Sequence, residues 1–247
     1  MASFDDREQV AFEQSVRLFS TVAPDLAVGD GTWTARDVLA HLVTVGHRYT
    51  SVPRLADDPR GVDLINAEEL AELADQEMPE LLEAYAAAFE GYRALWLSMG
   101  PEHMWPFHGG GRLPTAAVRT NWLGEMLLHG YDVAAAAGMA WRVDEVSAAD
   151  LLDFLRLIVP VYGHPGERLS VGLRPDGAPA WTIAVGPSEV SVVDGVDGAD
   201  AVLAGPGWSL ALVLYQRLRA ADAGGVGVRI DGDPGVVDRL FGLIEKP

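Results

Sequence analysis

The sequence of 247 residues contains no cysteine. This absence excludes disulfide bonds, zinc sites built from cysteine, and a cysteine nucleophile. Any thiol chemistry that the protein performs would therefore need a thiol from outside the chain. The motifs H-E-x-x-H, G-x-S-x-G and the P-loop are missing as well, so the common protease, hydrolase and nucleotide-binding functions are not indicated.

Long apolar segments are also missing. No apolar run approaches the roughly 18 residues that a transmembrane helix needs. The amino-terminal segment MASFDDREQV is acidic and polar, whereas a signal peptide has a basic start followed by an apolar stretch. We therefore expect a cytoplasmic protein that has no membrane partner.

Positive charge is scarce. The formal net charge is −18, from 18 basic and 36 acidic side chains. Such a field repels nucleic acid and anionic membrane surfaces, so neither is expected as a partner. An anionic substrate would need local arginines to be held in this field.

The first half of the chain has the apolar periodicity of helices. A capping-box pattern, T-x-x-D, at Thr34 and Asp37 marks one helix start. Pro79 is expected to kink or divide a third helical region, and the segment 109–114 is expected to be a loop. Helices in succession predict a four-helix bundle, with helical segments over 5–22, from 34 onward, 67–99 and 115–137.

The second half changes to short β-like runs separated by turn signals. Strands in a meander with packed helices predict an α+β domain. We expect helices over 147–161, 207–221 and 234–244, and strands over 169–173, 181–185, 190–193, 201–203 and 226–230. The predicted fold class is therefore α plus α+β, with an amino-terminal helical domain over 1–142 and a smaller α+β domain over 143–247.

A metal site is indicated within the first domain. Glu125 and His129 are four residues apart and share one face of a helix that is apolar almost all round. Buried imidazole and carboxylate groups must be paired or bound to a metal. His41 borders the apolar stripe of another helix and supplies a third ligand. Two histidines and one carboxylate suit catalytic zinc, although nickel, iron and manganese accept the same ligands.

Simpler interpretations of these residues stay open. Glu125 and His129 could form an exposed ion pair, and His41 could be a core histidine with a hydrogen-bond partner. Asp132, three residues after His129, could orient that ligand or bond nearby backbone. The remaining histidines are interpreted as surface or turn residues: His47, His103, His108 and His164.

Two stretches resemble signatures of a known family. Trp33-Thr-Ala-Arg-Asp37-Val-Leu-Ala-His41-Leu resembles the W-T-x-x-D-V-x-x-H-L pattern of the mycothiol-dependent maleylpyruvate isomerase family. Glu125-Met-Leu-Leu-His129-Gly-Tyr-Asp132 resembles its second signature, E-x-x-x-H-x-x-D. The resemblance implies a DinB-like four-helix bundle, in which His41, Glu125 and His129 are the metal ligands.

The second half resembles the carboxy-terminal domain of the same family, which is similar to sterol-carrier-like α+β folds. The matching segments are Ala201-Val-Leu-Ala-Gly205-Pro, Leu214-Tyr-Gln-Arg217 and Val228-Arg-Ile-Asp-Gly-Asp233-Pro. The resemblance implies that Arg217 holds a substrate carboxylate, as arginines do through bidentate contacts. A solvated cation at the end of a helix is the alternative interpretation of this residue.

The resemblance also implies thiol chemistry. In this family mycothiol, a bacterial low-molecular-weight thiol, binds near the metal, where the cation stabilises the reactive thiolate. Mycothiol would serve as co-substrate for a small electrophilic substrate, either by reversible addition that isomerises a double bond or by thiol transfer. The alternative is a non-catalytic protein that binds a metal or a ligand, with an apolar ligand or partner in the second domain.

Overall fold

The computed structural model of the protein describes residues 2–50 and 54–244. The chain divides into two units, Met1–Arg142 and Val143–Pro247. Unit 1 is mainly helical, and unit 2 combines a sheet with helices. No helix in the described residues is both long and apolar enough to cross a membrane.

The helices of unit 1 form a bundle. The bounds are α1 Phe4–Phe19, α2 Ala35–Thr50, α3 Val62–Glu72, α4 Met78–Ser98 and α5 Thr115–Ala136. α1, α2, α4 and α5 pack against one another, and the shorter α3 packs on α2. The region predicted over 67–99 is two helices, and Pro79 is the second residue of α4, where its missing N–H has no intrahelical partner to lose.

The capping box predicted at the start of α2 is confirmed. The backbone N–H and the hydroxyl of Thr34 donate to Asp37 Oδ2 over 2.9 and 2.7 Å. In return, the N–H of Asp37 donates to Thr34 Oγ1 over 3.3 Å. These bonds satisfy backbone groups at the helix start, and they fix where α2 begins relative to His41.

Two small hairpins precede the helices that carry the candidate site. β1 (Ala27–Val28) pairs with β2 (Trp33–Thr34), which leads directly into α2. β3 (Met104–Pro106) pairs with β4 (Arg112–Pro114), which leads directly into α5. The prediction of a loop over 109–114 is therefore wrong for its last three residues, which form β4. Gly109 and Gly110 make the tight turn between β3 and β4, with φ values of 73° and 70° that favour glycine.

Unit 2 contains a five-stranded sheet. The strands are β5 Leu169–Pro175, β6 Trp181–Val185, β7 Val190–Asp194, β8 Ala201–Gly205 and β9 Arg229–Gly232. Their order in the sheet is β7-β6-β5-β8-β9. All neighbouring strands are antiparallel except β5 and β8, which are parallel. The helices of this unit are α6 Glu145–Tyr162, α7 Gly207–Leu214 and α8 Pro234–Phe241.

The helix predicted over 207–221 is wrong in its second half. α7 ends at Leu214 because Gln216 adopts a left-handed conformation, with φ 58°. The N–H of Gln216 donates to Val213 O over 3.0 Å, and that of Arg217 donates to Leu212 O over 2.8 Å. These two bonds form a Schellman motif, which satisfies the last carbonyls of the helix. A 3-10 segment, Ala220–Val226, then precedes β9.

Close packing between helices sets the position of α2. Gly46 lies where α2 crosses α4, and a Cβ added there would be 2.9 Å from Ala88 Cβ and 3.2 Å from Trp122 Cη2. Trp122 is fully buried, so its ring has little freedom to move away. A glycine at this position therefore allows α2 to approach both neighbouring helices.

We predict that Gly46→Ala destabilises the protein by about 1–3 kcal/mol, because overpacking outweighs the roughly 1 kcal/mol by which alanine favours a helix. Urea denaturation followed by far-ultraviolet circular dichroism measures the change. Gly91→Ala in α4 is the matched control, since its added Cβ would meet Thr50 Cγ2 at an ordinary 3.6 Å. Equal stability of the two variants would contradict the packing argument.

Candidate metal centre

Three predicted ligands meet inside the helical bundle. His41 lies on α2, and Glu125 and His129 lie one turn apart on α5. Glu125 Oε2 is 3.4 Å from His41 Nε2 and 3.2 Å from His129 Nε2. One ligand atom from each side chain can be chosen so that all of these atoms lie within 4.8 Å of one another. The described residues therefore contain a group that could hold one cation.

The three side chains are shielded from solvent by apolar neighbours. His41 is 5% exposed, and the side chains of Glu125 and His129 are 24% and 13% exposed. Three apolar residues of α5 that lie at helical spacing from Glu125 and His129 are fully buried: Val118, Trp122 and Val133. This environment contradicts the alternative interpretation of Glu125 and His129 as an exposed ion pair.

Burial and pairing set the charges of this group. Burial by itself would raise the pKa of Glu125, but the hydrogen bonds and charges of His129 and His41 hold that pKa well below its usual value. Burial lowers the pKa of His41 to about 4, against the raising effect of Glu125. At neutral pH the group thus pairs an ionised carboxylate with a neutral His41 imidazole, and these are the protonation states in which both residues bind metals.

The second nitrogens of the two imidazoles differ in their surroundings. His129 Nδ1 lies 3.4 Å from Asp132 Oδ2, so the carboxylate lies where it can orient the ring. Such a carboxylate–histidine pair is common behind metal ligands. His41 Nδ1 is buried and has no hydrogen-bond partner among the described residues. The alternative interpretation of His41, a core histidine with a hydrogen-bond partner, therefore rests on one contact, that of Nε2 with Glu125.

Trp33 lies against both imidazoles, a role that the sequence analysis did not assign to it. The Trp33 ring is 5.0 Å from the His41 ring and 6.0 Å from the His129 ring, measured between centroids. The two imidazoles themselves are 4.9 Å apart in an edge-on arrangement. In the sequence, the available signal was that Trp33 directly precedes the T-x-x-D cap of α2. This neighbourhood holds Trp33 beside the first turns of that helix.

The interpretation of His108 as a surface residue is wrong. The residue is 7% exposed, because the turn of the β3–β4 hairpin folds onto the segment around Ala56. The backbone N–H of Ala56 donates to His108 Nδ1 over 3.0 Å. Burial, together with the charge of Arg48, lowers the pKa of His108 to about 4, against the raising effect of the charges of Glu125 and Glu69.

A buried ion pair on α2 was also missed. Arg48 follows His41 by seven residues, so the two lie on one face of α2. Its side chain is 10% exposed and pairs with Glu69 of α3, which is 7% exposed. Arg48 Nε donates to both Glu69 carboxylate oxygens over 3.0 and 2.9 Å, and Nη2 donates to Asn66 Oδ1. In the sequence, the available signal was the seven-residue spacing between His41 and Arg48, which places both side chains on one face of a helix.

The other candidates lie apart from this group or in unit 2. His47 and His103 are exposed, as predicted. Arg217 belongs to unit 2, where it follows the end of α7 and its Nη1 donates to Tyr215 O over 2.9 Å. Its proposed contact with a substrate carboxylate stays a prediction.

Comparison with known proteins gives a family match and a structural match. Residues 7–134 match the family described as the mycothiol maleylpyruvate isomerase N-terminal domain. The fold matches crystal structures of the mycothiol-dependent maleylpyruvate isomerase and of its histidine-to-alanine variant. Each match has a TM-score of 0.57 and 15% identity, and covers 94% of this chain and 96% of the other. The predicted α plus α+β fold class is confirmed. No curated protein matches the sequence significantly.

We predict that His108 makes the metal-free protein acid-sensitive. The unfolded chain takes up a proton at this residue near pH 6.5, whereas the folded protein resists it until about pH 4. Stability is therefore lost as the pH falls through this window, at about 1.36 kcal/mol per unit. His108→Asn should reduce the loss of unfolding free energy between these pH values by on the order of 2–3 kcal/mol, measured by urea denaturation with a chelator present.

His47→Asn, at an exposed position on α2, is the control and should retain the pH dependence of the wild type. The same acid-induced loss in His108→Asn as in the wild type would contradict the burial of a neutral imidazole in the hairpin turn.

Proposed function

The chain belongs to the mycothiol maleylpyruvate isomerase N-terminal domain family, and from this premise we propose that it is a metal-dependent enzyme that uses mycothiol. The proposed reaction is isomerisation of, or thiol transfer to, a small electrophilic substrate that resembles maleylpyruvate. The observation that carries the proposal is the meeting of His41, Glu125 and His129 within 4.8 Å. The enzyme of the matched crystal structures supports the same reaction class.

The chemistry of the donor set fits a divalent cation. Two imidazole nitrogens and one carboxylate oxygen converge, and the carboxylate is ionised. Three protein ligands of this kind leave a coordination position for a small molecule, which is the arrangement of catalytic zinc sites. We therefore propose zinc as the metal.

A bound zinc ion would stabilise a thiolate that reaches the open position. Side chains around the three ligands fix the geometry of the site and limit its contact with water. Asp132 orients His129, and the Trp33 ring packs on both imidazoles and limits their rotation. Buried apolar residues of α5 exclude water from the inner side of the group. We retain Arg217 as a substrate-binding arginine on the family resemblance alone.

The thiol must come from outside, because the chain has no cysteine. A mycothiol thiolate would add to a carbon of the activated double bond, and the π electron pair of that bond would shift to the group of the substrate that activates it. After rotation about the resulting single bond, the carbon–sulfur bond would break and return the thiolate. We propose a cytoplasmic location, where low-molecular-weight thiols stay reduced.

The apolar cavity that unit 2 contains does not support the alternative, an apolar ligand held by this unit. An apolar cavity in this unit has a volume of about 10 Å³, room for one water molecule at most. Its lining residues are Leu155, Val159, Ile183, Leu214, Leu240, Phe241 and Ile244. A lipid would need far more space than this cavity offers.

We predict about one zinc per chain after stripping with a chelator and reloading, as expected for a single site with three protein ligands. Elemental mass spectrometry on protein without a tag measures the metal. His129→Ala should lose the zinc, because two ligands do not complete the site, and His47→Ala should retain it as the control. Equal metal content in the wild type and in His129→Ala would rule out the proposed site.

Asp132→Asn provides a graded case for the same measurement. It keeps all three ligands and removes only the carboxylate that contacts His129 Nδ1. Loss of such a partner typically weakens metal affinity by about 10–100-fold. Competition with a chelator of known zinc affinity should give this reduction, whereas unchanged affinity would deny Asp132 its orienting role.

We predict that turnover of a maleylpyruvate-like substrate requires added mycothiol. Without the thiol the zinc-loaded protein should be inactive, since the chain has no cysteine that could replace it. Isomerisation should proceed with catalytic amounts of mycothiol, because the thiolate is returned in each cycle, whereas transfer should consume one thiol per product. Full turnover in the absence of thiol would refute the thiol mechanism, and measurement of free thiol distinguishes the two reactions.

A further inference from the structure

A stripe of partly exposed polar residues runs along α5. Its members recur at spacings of four, four and three residues, which keeps them on one face of the helix. The residues between them, except Tyr131, are buried. The stripe consists of Asn121, Glu125, His129 and Asp132. The candidate metal centre accounts for the last three of these side chains and leaves Asn121 without an assigned role.

Asn121 adjoins the metal centre on both helices that build it. It lies one helical turn before Glu125, about 6 Å along the axis of α5. Its Nδ2 donates to Tyr49 Oη over 2.9 Å. Tyr49 lies on α2, eight residues after His41. The same two helices that carry the candidate ligands therefore also bring together this second polar pair.

Packing holds the pair in place. The ring of Tyr49 contacts two buried rings of α4, at 5.6 Å from Tyr92 and 6.2 Å from Trp96 between centroids. The position of the Tyr49 hydroxyl is thereby restricted, and so is that of the amide that donates to it. Asn121 makes no other hydrogen bond to the described residues. Its oxygen, which accepts hydrogen bonds, and its second N–H are therefore available to a ligand.

We infer that Asn121 binds the amide group of the thiol co-substrate, and that Tyr49 positions Asn121 for this contact. The inference rests on the proposed function, in which the sulfur of the thiol reaches the open position of the metal. The ligand class is a cysteine-derived thiol, in which two carbon atoms separate the sulfur from an amide nitrogen. Asn121 Oδ1 accepts a hydrogen bond from that N–H.

Position and charge favour the amide of the thiol over a carboxylate of the electrophile. A group a few bonds away from a sulfur held beside Glu125 is within reach of the next helical turn, where Asn121 lies. Asn121 is uncharged, and the stripe also carries the carboxylates of Glu125 and Asp132, in a chain of net charge −18. This field opposes an anionic group, whereas a neutral N–H meets a matching acceptor in the side-chain oxygen of Asn121.

Two probe thiols that differ only in this N–H test the contact. N-acetylcysteamine carries an amide nitrogen two carbons from its sulfur, and 2-mercaptoethyl acetate carries an ester oxygen in the same place. Both are titrated into the cobalt-loaded protein, because cobalt accepts the same ligands as zinc and a cobalt-bound thiolate absorbs in the near ultraviolet. The measured quantity is the ratio of the two dissociation constants, which does not depend on turnover.

We expect the preference for the amide thiol to be about three- to tenfold larger in the wild type than in Asn121→Leu, as for the loss of one neutral hydrogen bond. Asn121→Asp keeps an acceptor oxygen and should retain the preference. Tyr49→Phe should reduce it, because the amide of Asn121 loses the contact that fixes it. Thr120→Ala, at the neighbouring position of α5 outside the stripe, is the control and should behave as the wild type.

The same ratio in the wild type and in Asn121→Leu would overturn the contact with the thiol amide. Cobalt content and thiolate absorption measured on the same samples test the proposed function separately. If both proteins bind cobalt and both thiols, that result leaves the metal centre standing and removes only the role of Asn121. Cobalt bound without thiolate absorption in the wild type would overturn the thiol chemistry together with this inference.

Discussion

The burial of Glu125 between two imidazoles is the constraint on which the rest of unit 1 depends. An ionised carboxylate inside an apolar bundle is stable only if hydrogen bonds or a cation compensate its lost hydration. His41 and His129 supply that compensation from two helices, at 3.4 and 3.2 Å. The contact with His41 sets the rotation of α2 and α5 relative to each other, since turning either helix by one residue would remove this contact and leave the carboxylate with His129 alone.

The features around the group keep that geometry in place. Gly46 allows α2 to approach α4 and Trp122 closely, and the capping box at Thr34 sets where α2 begins. Each of the two hairpins brings one further ring to unit 1: Trp33 lies against both imidazoles, and His108 is buried against the segment at Ala56. The cap, the close helix packing and the Trp33 ring thus hold the candidate ligands in their relative positions.

Much of the fold follows from local signals that the sequence carries. The helix periodicity, the T-x-x-D cap and the turn residues between strands predicted most elements to within a few residues. The errors lie where local signals are weak or absent. α7 stops at Leu214 because Gln216 adopts a positive φ, which is unusual for a residue other than glycine. The β3–β4 hairpin was missed because a glycine-rich segment has the pattern of a loop, whether or not the residues on either side of it form paired strands.

The sequence by itself determined the chemistry that is available: no protein thiol, a negative field, and His41, Glu125 and His129 on apolar helices. The spacing within one helix decides which residues share a face, so the pairing of Glu125 with His129 could be predicted. Only the tertiary structure decided which side chains from distant segments meet that face. The burial of His108, the Arg48–Glu69 pair and the place of Trp33 depend on how hairpins and helices pack, and contacts between segments far apart in sequence leave no local pattern to read.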